Sequence, residues 1–225
     1  MSRRLPVNEV ASFLPNAMRM DVAPRLAATV ILVRPSPDGL QVLLLRRSSK
    51  SAFMPGAFVF PGGAVDPVDY ARAPAHATAD ARMEVEPRDA HALVHAAARE
   101  LYEEAGVSIE PGELRLFSHW VTPPGEPRRF DTYFFVSQAP PGAVGVADSV
   151  ETHDARWLTP AQALDAARAG ELLLFFPTIK HLERLAAFDN IEALLAFARE
   201  KPIVTIRPDR PATEAVLPHA LEGRW

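Results

Sequence analysis

The stretch Arg99-Glu100-Leu101-Tyr102-Glu103-Glu104-Ala105-Gly106-Val107 brings three carboxylates close together. In a helix, Glu100, Glu103 and Glu104 occupy positions i, i+3 and i+4, so they share one face. Like charges at this spacing destabilise a helix by about 0.2–0.5 kcal/mol per pair. A divalent cation would offset the repulsion, and Mg²⁺ prefers carboxylate and water oxygens. The alternative is that these glutamates are only a solvated helical face.

The helix that carries these glutamates is predicted to begin at Ala90 and to end at Gly106. Asp89 can cap its first turn, and glycine readily adopts the left-handed conformation that ends a helix. The residues of its apolar stripe recur at the spacing of an amphipathic helix: Val94, Ala97, Ala98, Leu101 and Ala105. One face of the helix is therefore expected to pack on a core, beside the acidic face.

A short strand and a glycine turn precede this helix. Phe58-Val59-Phe60 predicts the strand, and Pro61-Gly62-Gly63 ends it. Consecutive glycines allow backbone conformations that a side chain would prevent, so a special turn is expected. The following segment, about 67–88, is rich in Ala, Pro, Asp and Arg without a sustained period. It predicts a long surface loop.

Together, the turn and the helix resemble the signature of the Nudix hydrolases, G-x5-E-x7-R-E-U-x-E-E-x-G-U, in which U is aliphatic. Residues 99–107 match the second half at every fixed position, and Phe60-Pro61-Gly62-Gly63 is similar to the opening. The resemblance covers about 27–185. It implies a Nudix-type α/β/α sandwich.

The resemblance also implies a metal site. Glu100, Glu103 and Glu104 would ligate Mg²⁺, with Mn²⁺ as an alternative, and the carbonyl of Gly63 would add a ligand. Arg99 would orient the carboxylates by ion pairing. A metal-activated water would then split a diphosphate linkage into two monophosphate-ended products. Which carboxylate acts as the base is left open.

The chain departs from the signature between its two halves. Asp69 stands where the pattern has its first glutamate, Asp66 is an equal candidate, and the gap to Arg99 is much longer than usual. Because the entropy of loop closure rises slowly with length, the insertion can leave both ends in place.

The interrupted signature is similar to the branch of the family that includes coenzyme A and acyl-coenzyme A diphosphatases. The stretches that carry this similarity are 43–48, 53–56, 58–66, 119–123 and 129–135. The coenzyme A signature has Thr where this chain has Leu45, and Arg where it has Ala52. Coenzyme A derivatives are the favoured substrates, and ADP-ribose, dinucleotides such as NADH and nucleoside triphosphates are alternatives. A Nudix-fold module that senses a nucleotide without hydrolysing it is a second class of function.

The remaining patterns predict a mixed α/β chain. Strands are expected at 27–33, 41–45, 114–121, 130–136, 155–158 and 203–206. Capping signals predict helices at 159–170, 177–187 and 190–199. We therefore expect a mixed sheet in a single domain, 1–225, with the helices of about 177–200 as a C-terminal extension.

Composition excludes several kinds of site. The chain has 225 residues, no cysteine and a formal charge of -4. Thiolate chemistry and disulfides are excluded, and the absence of a basic stripe disfavours nucleic-acid binding. The apolar runs are too short to span a membrane, and no apolar signal region follows Arg3 and Arg4. We expect a cytoplasmic protein with a small nucleotide-type substrate, and a homodimer is left open.

Other side chains could take part, each with an ordinary structural alternative. Glu151 could be an additional ligand or base, because Nudix enzymes often place a carboxylate before a strand that resembles 155–158. A solvated loop acid is equally expected at Glu151, and His153 and Asp154, in the same loop, have the same alternative of a solvated side chain. Packing or solvent exposure is favoured over a functional role for the others: His91, His95, Trp120, Arg128, Arg129, Phe130 and the apolar run 172–176.

Overall fold

The computed structural model describes residues 22–51, 54–72 and 80–208. Its strands within these ranges are β1 (Arg25–Ser36), β2 (Gly39–Arg47), β3 (Phe58–Val59), β4 (Gly62–Ala64), β5 (Arg115–Val121), β6 (Phe130–Gln138), β7 (Thr152–Leu158) and β8 (Thr205–Ile206). Its α-helices are α1 (Pro67–Ala71), α2 (Pro87–Ala105), α3 (Pro160–Arg168), α4 (Phe176–Leu185) and α5 (Ile191–Glu200). The predicted strands and helices are all found, with shifts of a few residues at their ends.

The strands form one mixed sheet around β1. The strand order is β3-β2-β1-β6-β5-β8, while β4 also pairs with β1 and β7 with β2. The pairs β1–β6 and β5–β8 are parallel, and the others are antiparallel. The expected mixed sheet is therefore confirmed. The short strand β4 was not predicted, because its two glycines and one alanine carry no strand pattern.

Helices cover both faces of this sheet. Alternate residues of β1 face opposite sides, as a strand requires. Val30 and Leu32 pack with α2 in one core, whereas Ile31 and Val33 pack under α3, α4 and α5 in the other. The α/β/α sandwich with extra C-terminal helices is thus confirmed.

The helix α2 begins at Pro87, not at Ala90 as predicted. Proline is well suited to the first helical position because its missing N–H would have no partner there. Asp89 lies in the first turn and accepts a hydrogen bond from the Tyr70 hydroxyl at 3.1 Å. Gly106 has φ of 66°, so the predicted left-handed end is confirmed.

The prediction that 67–88 is a surface loop is wrong for 67–71 and 87–88, which are helical, whereas 80–86 contains no helix or strand. Pro67–Ala71 forms α1, because Asp66 and Asp69 make a reciprocal capping box around its first turn. Further along, Met83 is buried in the core beneath α2. Arg82 donates hydrogen bonds to two backbone carbonyls near the end of α5. The insertion is therefore packed against the domain at both ends.

Several predictions concern residues outside the described ranges. Ala52, residues 73–79 within the insertion, and the N-terminal segment with Arg3 and Arg4 are among them. Within the described ranges, no helix combines the length and the apolar character needed to cross a bilayer. The single-domain organisation over 1–225 stays a prediction.

Candidate active site

The acidic face of α2 lies directly against the glycine turn. The backbone N–H of Gly62 donates to Oε2 of Glu104 at 2.9 Å. At Gly63, a Cβ would lie 2.4 Å from Oε1 of Glu100, well inside any real contact distance. The two adjacent glycines are therefore needed for different reasons: Gly63 lets the carboxylate of Glu100 approach β4, whereas a Cβ at Gly62 would lie 2.4 Å from the carbonyl oxygen of Ala28 on β1.

Arg99 is the centre of an ion-pair network on the same face. It donates to Asp69 through Nε at 3.0 Å and Nη2 at 2.9 Å, in the bidentate geometry that favours strong pairing. Its Nη1 donates to Glu100 at 2.8 Å and to Glu103 at 2.9 Å. Its Nη2 also donates to the carbonyl of Ala64 at 3.2 Å. One cation thus fixes three carboxylates, but Glu104 is not one of them.

The structure distinguishes between the two candidates for the first acidic residue. The side chain of Asp69 is fully buried and paired with Arg99. Asp66 instead lies at the start of α1, where its N–H donates to Oδ2 of Asp69 at 2.9 Å. Only Asp69 therefore occupies the position beside the signature arginine, despite the long insertion between them.

Burial and mutual repulsion raise the proton affinity of the two inner glutamates. Glu104 is 3% exposed, and burial raises its pKa to about 8, aided by the negative charges of Glu100 and Glu151. The N–H of Gly62 and the positive charge of Arg47 act in the opposite direction. Burial also raises the pKa of Glu100, although its pairing with Arg99 opposes this. Such shifts are typical of sites where charge is to be neutralised by a bound ion or substrate.

Glu151 is brought to this cluster by a structured loop. It is solvent-exposed, and its charge acts on both Glu100 and Glu104. The carboxylate of Asp148 accepts hydrogen bonds from the N–H groups of Val150, Glu151 and Thr152. Burial acts to raise the pKa of Asp148, but these hydrogen bonds hold it below its ordinary value. The side chain of Asp148 therefore stabilises the conformation of this loop.

The same loop is tied to the helix. The Thr152 hydroxyl donates to the carbonyl of Glu104 at 3.3 Å. Its neighbours take other positions, because His153 is exposed and Asp154 pairs with Arg156 at 2.8 Å. Of the three loop candidates, Glu151 is thus the one whose charge is shown to act on the inner glutamates.

The donor set suits a hard divalent cation. It consists of carboxylate oxygens. Glu100 sits in a recess that a single methyl group on Gly63 would fill, and the side chain of Glu104 is buried with the positive charge of Arg47 nearby. In the described part of the chain, no three acidic or histidine side chains form a ready-made metal cage. Glu103 is turned toward Arg99 and its side chain is 54% exposed. Since Mg²⁺ commonly takes one or two carboxylates, several waters and substrate phosphates, Glu100 and Glu104 are enough to begin such a site.

Other candidates lie away from the acidic cluster. Trp120 is buried in the core under the C-terminal helices, and Leu172 is buried with it. Arg129 donates to the carbonyls of Thr122 and Val22 and so fastens the start of β6. These contacts agree with the structural roles that are favoured for Trp120 and Arg129, whereas the run 172–176 is buried only in part, since Leu173 is exposed.

The two helix histidines occupy the N-terminal half of α2. His91 and His95 are both half-buried. Burial and the nearby charge of Arg72 lower the pKa of His95. A neutral imidazole in such a position is an ordinary packing group, and Arg128 is simply exposed.

Sequence reasoning missed Arg47 and Asp148. Arg47 follows the apolar run of β2, and its side chain donates to the Ser51 hydroxyl at 3.1 Å while its charge acts on Glu104. Asp148 accepts a hydrogen bond from the N–H of Val150, two residues on, which is the spacing of an Asx turn. That spacing was the available signal for the folded loop, whereas nothing local pairs Arg47 with Glu104.

Comparison with known proteins agrees with this arrangement. The NUDIX domain model matches residues 23–176, which include the glycine turn, the acidic helix and Glu151. The chain belongs to the Nudix family. Among solved structures, it is similar to a NUDIX hydrolase from Alicyclobacillus acidocaldarius with a TM-score of 0.66 and 27% identity, over 77% of this chain and 96% of that one.

Curated relatives of this Nudix hydrolase include acyl-coenzyme A diphosphatases. The chain is 27% identical to the one from Homo sapiens, over 73% of this chain and 65% of that protein. It is 25% identical to the one from Gallus gallus, over 80% of this chain and 72% of that protein. The chain thus spans about two thirds of the human relative's length. These similarities support a hydrolase.

Proposed function

We propose that this protein hydrolyses the diphosphate linkage of coenzyme A or an acyl-coenzyme A with Mg²⁺ or Mn²⁺ as cofactor. The observation that carries the proposal is the pair Glu100 and Glu104, held against the Gly62–Gly63 turn with raised pKa values. Buried acids of like charge cost stability unless a cation or a proton neutralises them. The substrate class is supported by the acyl-coenzyme A diphosphatases among the relatives.

Each residue of the cluster has a distinct role in this proposal. Glu100 and Glu104 bind the cation from the helix side, and Glu103 joins them when its pairing with Arg99 is exchanged for the metal. Arg99, which is held by the buried carboxylate of Asp69, keeps the glutamate side chains next to the glycine turn. When bound, the cation neutralises charge on the phosphoryl oxygens and makes water more acidic.

Glu151, on the loop before β7, and Arg47, at the end of β2, complete the proposed site. Glu151 is exposed and acts as a further ligand or as the base that takes a proton from the attacking water. Arg47 carries positive charge next to Glu104, where it would attract the substrate's phosphates. The diphosphate is thereby placed between an acidic, metal-binding side and a basic one.

A substrate panel tests the proposal. The purified protein would be incubated with Mg²⁺ or Mn²⁺ and, separately, coenzyme A, acyl-coenzyme A, ADP-ribose, NADH and nucleoside triphosphates, with products identified by mass spectrometry. We expect coenzyme A to give 3′,5′-ADP and phosphopantetheine. Cleavage of ADP-ribose or NADH alone would reject the substrate class. Tight binding without turnover of any compound would instead indicate a nucleotide-sensing module.

A pair of glutamate variants tests the chemistry itself. Glu103→Gln should abolish hydrolysis without unfolding the protein, because this side chain is half-exposed at the end of α2. Glu192→Gln, on the exposed surface of α5, is the matched control and should keep full activity. Turnover at the wild-type rate in Glu103→Gln would contradict the proposed metal site.

A further inference from the structure

Exposed apolar side chains cluster on the loop between β6 and β7. Val144, Val146 and Val150 are 69%, 63% and 75% exposed. Single exposed apolar residues are common on protein surfaces, but contiguous groups of them often mark a binding site. In the described ranges, other exposed large apolar residues, such as Val68 and Leu173, are far apart in the sequence.

A groove lies beside Val144 and Val146. It has a volume of about 360 Å³ and is lined by residues 105–108 at the end of α2 and by 140–146 of the loop. No lining residue carries a charged side chain, since they are Pro, Gly, Ala, Val and one Ser. Its walls therefore offer apolar surface and backbone amide groups, but no partner for a phosphate.

Hydrogen bonds hold the loop in place. The N–H of Val146 donates to the carbonyl of Ala105 at 2.9 Å. The indole Nε1 of Trp157 donates to the carbonyl of Val144 at 2.6 Å. Both hydrogen bonds use backbone atoms of Val144 and Val146, so their side chains stay exposed. The part of the loop that carries these two valines is therefore held in place by hydrogen bonds.

One wall of the groove adjoins the acidic helix, because Ala105, which lines the groove, immediately follows Glu104 on α2. The loop that forms the other wall is tied to the same end of α2: Val146 donates to the carbonyl of Ala105, and Thr152 donates to the carbonyl of Glu104. The groove and the candidate metal site therefore share the C-terminal end of α2.

We propose that this groove binds the pantetheine arm of an acyl-coenzyme A and that Val144 and Val146 contact its acyl chain. This inference rests on the proposed function. On the two sides of the diphosphate, the substrate has a charged half, the 3′-phosphorylated adenosine, and an uncharged pantetheine arm with two amides and an apolar end. The uncharged groove matches the second half, because its backbone groups can pair with amides and its valines can shield an alkyl chain from water.

The acyl-chain surface considered at 172–176 fits less well. Leu172 is buried, and Leu174 and Phe176 pack against the core under the C-terminal helices. Leu173 is exposed by itself, at 51%. It provides a matched control, because it is an apolar residue of similar exposure outside the groove.

Kinetics with substrates of increasing acyl length tests the proposal. For the wild-type enzyme, kcat/KM should rise from free coenzyme A to long-chain acyl-coenzyme A. The double variant Val144→Ser/Val146→Ser should lower kcat/KM for the long-chain substrate by about tenfold, a change that a few apolar contacts can produce. For free coenzyme A it should stay within about twofold. Leu173→Ser should behave as the wild type with both substrates.

The outcomes separate this inference from the function on which it rests. If the enzyme cleaves neither coenzyme A nor its acyl derivatives, both are overturned. If it cleaves them with no dependence on chain length, or if the double variant and Leu173→Ser give the same profile, only the groove assignment is overturned. Val146→Ser alone provides a second variant at a residue that lines the groove, in case the double variant unfolds, and it is expected to lower the long-chain kcat/KM selectively.

Discussion

Replacing Gly63 with alanine should disable the site while preserving the fold. The new Cβ would lie 2.4 Å from Oε1, 2.5 Å from Cδ and 2.7 Å from Oε2 of Glu100, whereas ordinary contact begins at 3.4 Å. The carboxylate must therefore move by about 1 Å, and a displacement of that size can reduce catalysis by roughly 100-fold. Since the obstacle is the end of a side chain, the backbone of β4 need not move.

The assay for Gly63→Ala measures metal-dependent hydrolysis alongside thermal unfolding. We expect kcat to fall about 100-fold with a loss of stability below about 1.5 kcal/mol. Gly62→Ala is the informative contrast, because its Cβ would meet the backbone at 2.4 Å from the carbonyl oxygen of Ala28 and 2.6 Å from Cα of Thr29. That variant should lose about 1–3 kcal/mol or more of stability. A fully active Gly63→Ala enzyme would refute the idea that the recess positions Glu100.

Two further predictions follow from the ion pairs and the buried acid. Asp69→Asn breaks a buried ion pair with Arg99 and should lower the free energy of unfolding, measured by urea denaturation, by about 3–5 kcal/mol. Asp165→Asn breaks an exposed ion pair with Arg168 and should lower it by less than about 1 kcal/mol. Equal losses in the two variants would contradict the argument from burial. Because the folded pKa of Glu104, about 8, is raised from 4.5, its contribution to stability is present below pH 4.5 and is lost as pH rises through 8. Between pH 4.5 and pH 8, the free energy of unfolding of the metal-free wild type should therefore fall by up to about 5 kcal/mol, and that of Glu104→Gln should fall much less. Parallel pH profiles for the two proteins in chelator would argue against a buried, uncompensated acid.

The sequence predicted most of the fold because the relevant signals are local. The spacing of Glu100, Glu103 and Glu104 fixes a shared helical face wherever the helix lies. Gly106 ends that helix because its left-handed conformation is a property of the residue itself. Runs of apolar and β-branched residues likewise located β1, β2, β5 and β6, since a strand that faces two different cores is apolar on both sides.

Contacts between distant parts of the chain were decided by the tertiary structure. Arg99 pairs with Asp69 across 30 residues, and Gly62 donates to Glu104 across 42. No local pattern could choose Asp69 over Asp66, because the choice depends on how α1 and the insertion return to α2. The burial of Met83, the influence of Arg47 on Glu104 and the uncharged groove beside Val146 have the same origin. Periodicity and capping depend on residues that are near neighbours in the chain, so they can be predicted from the sequence. Burial and charge pairing depend on which surfaces the folded chain brings together.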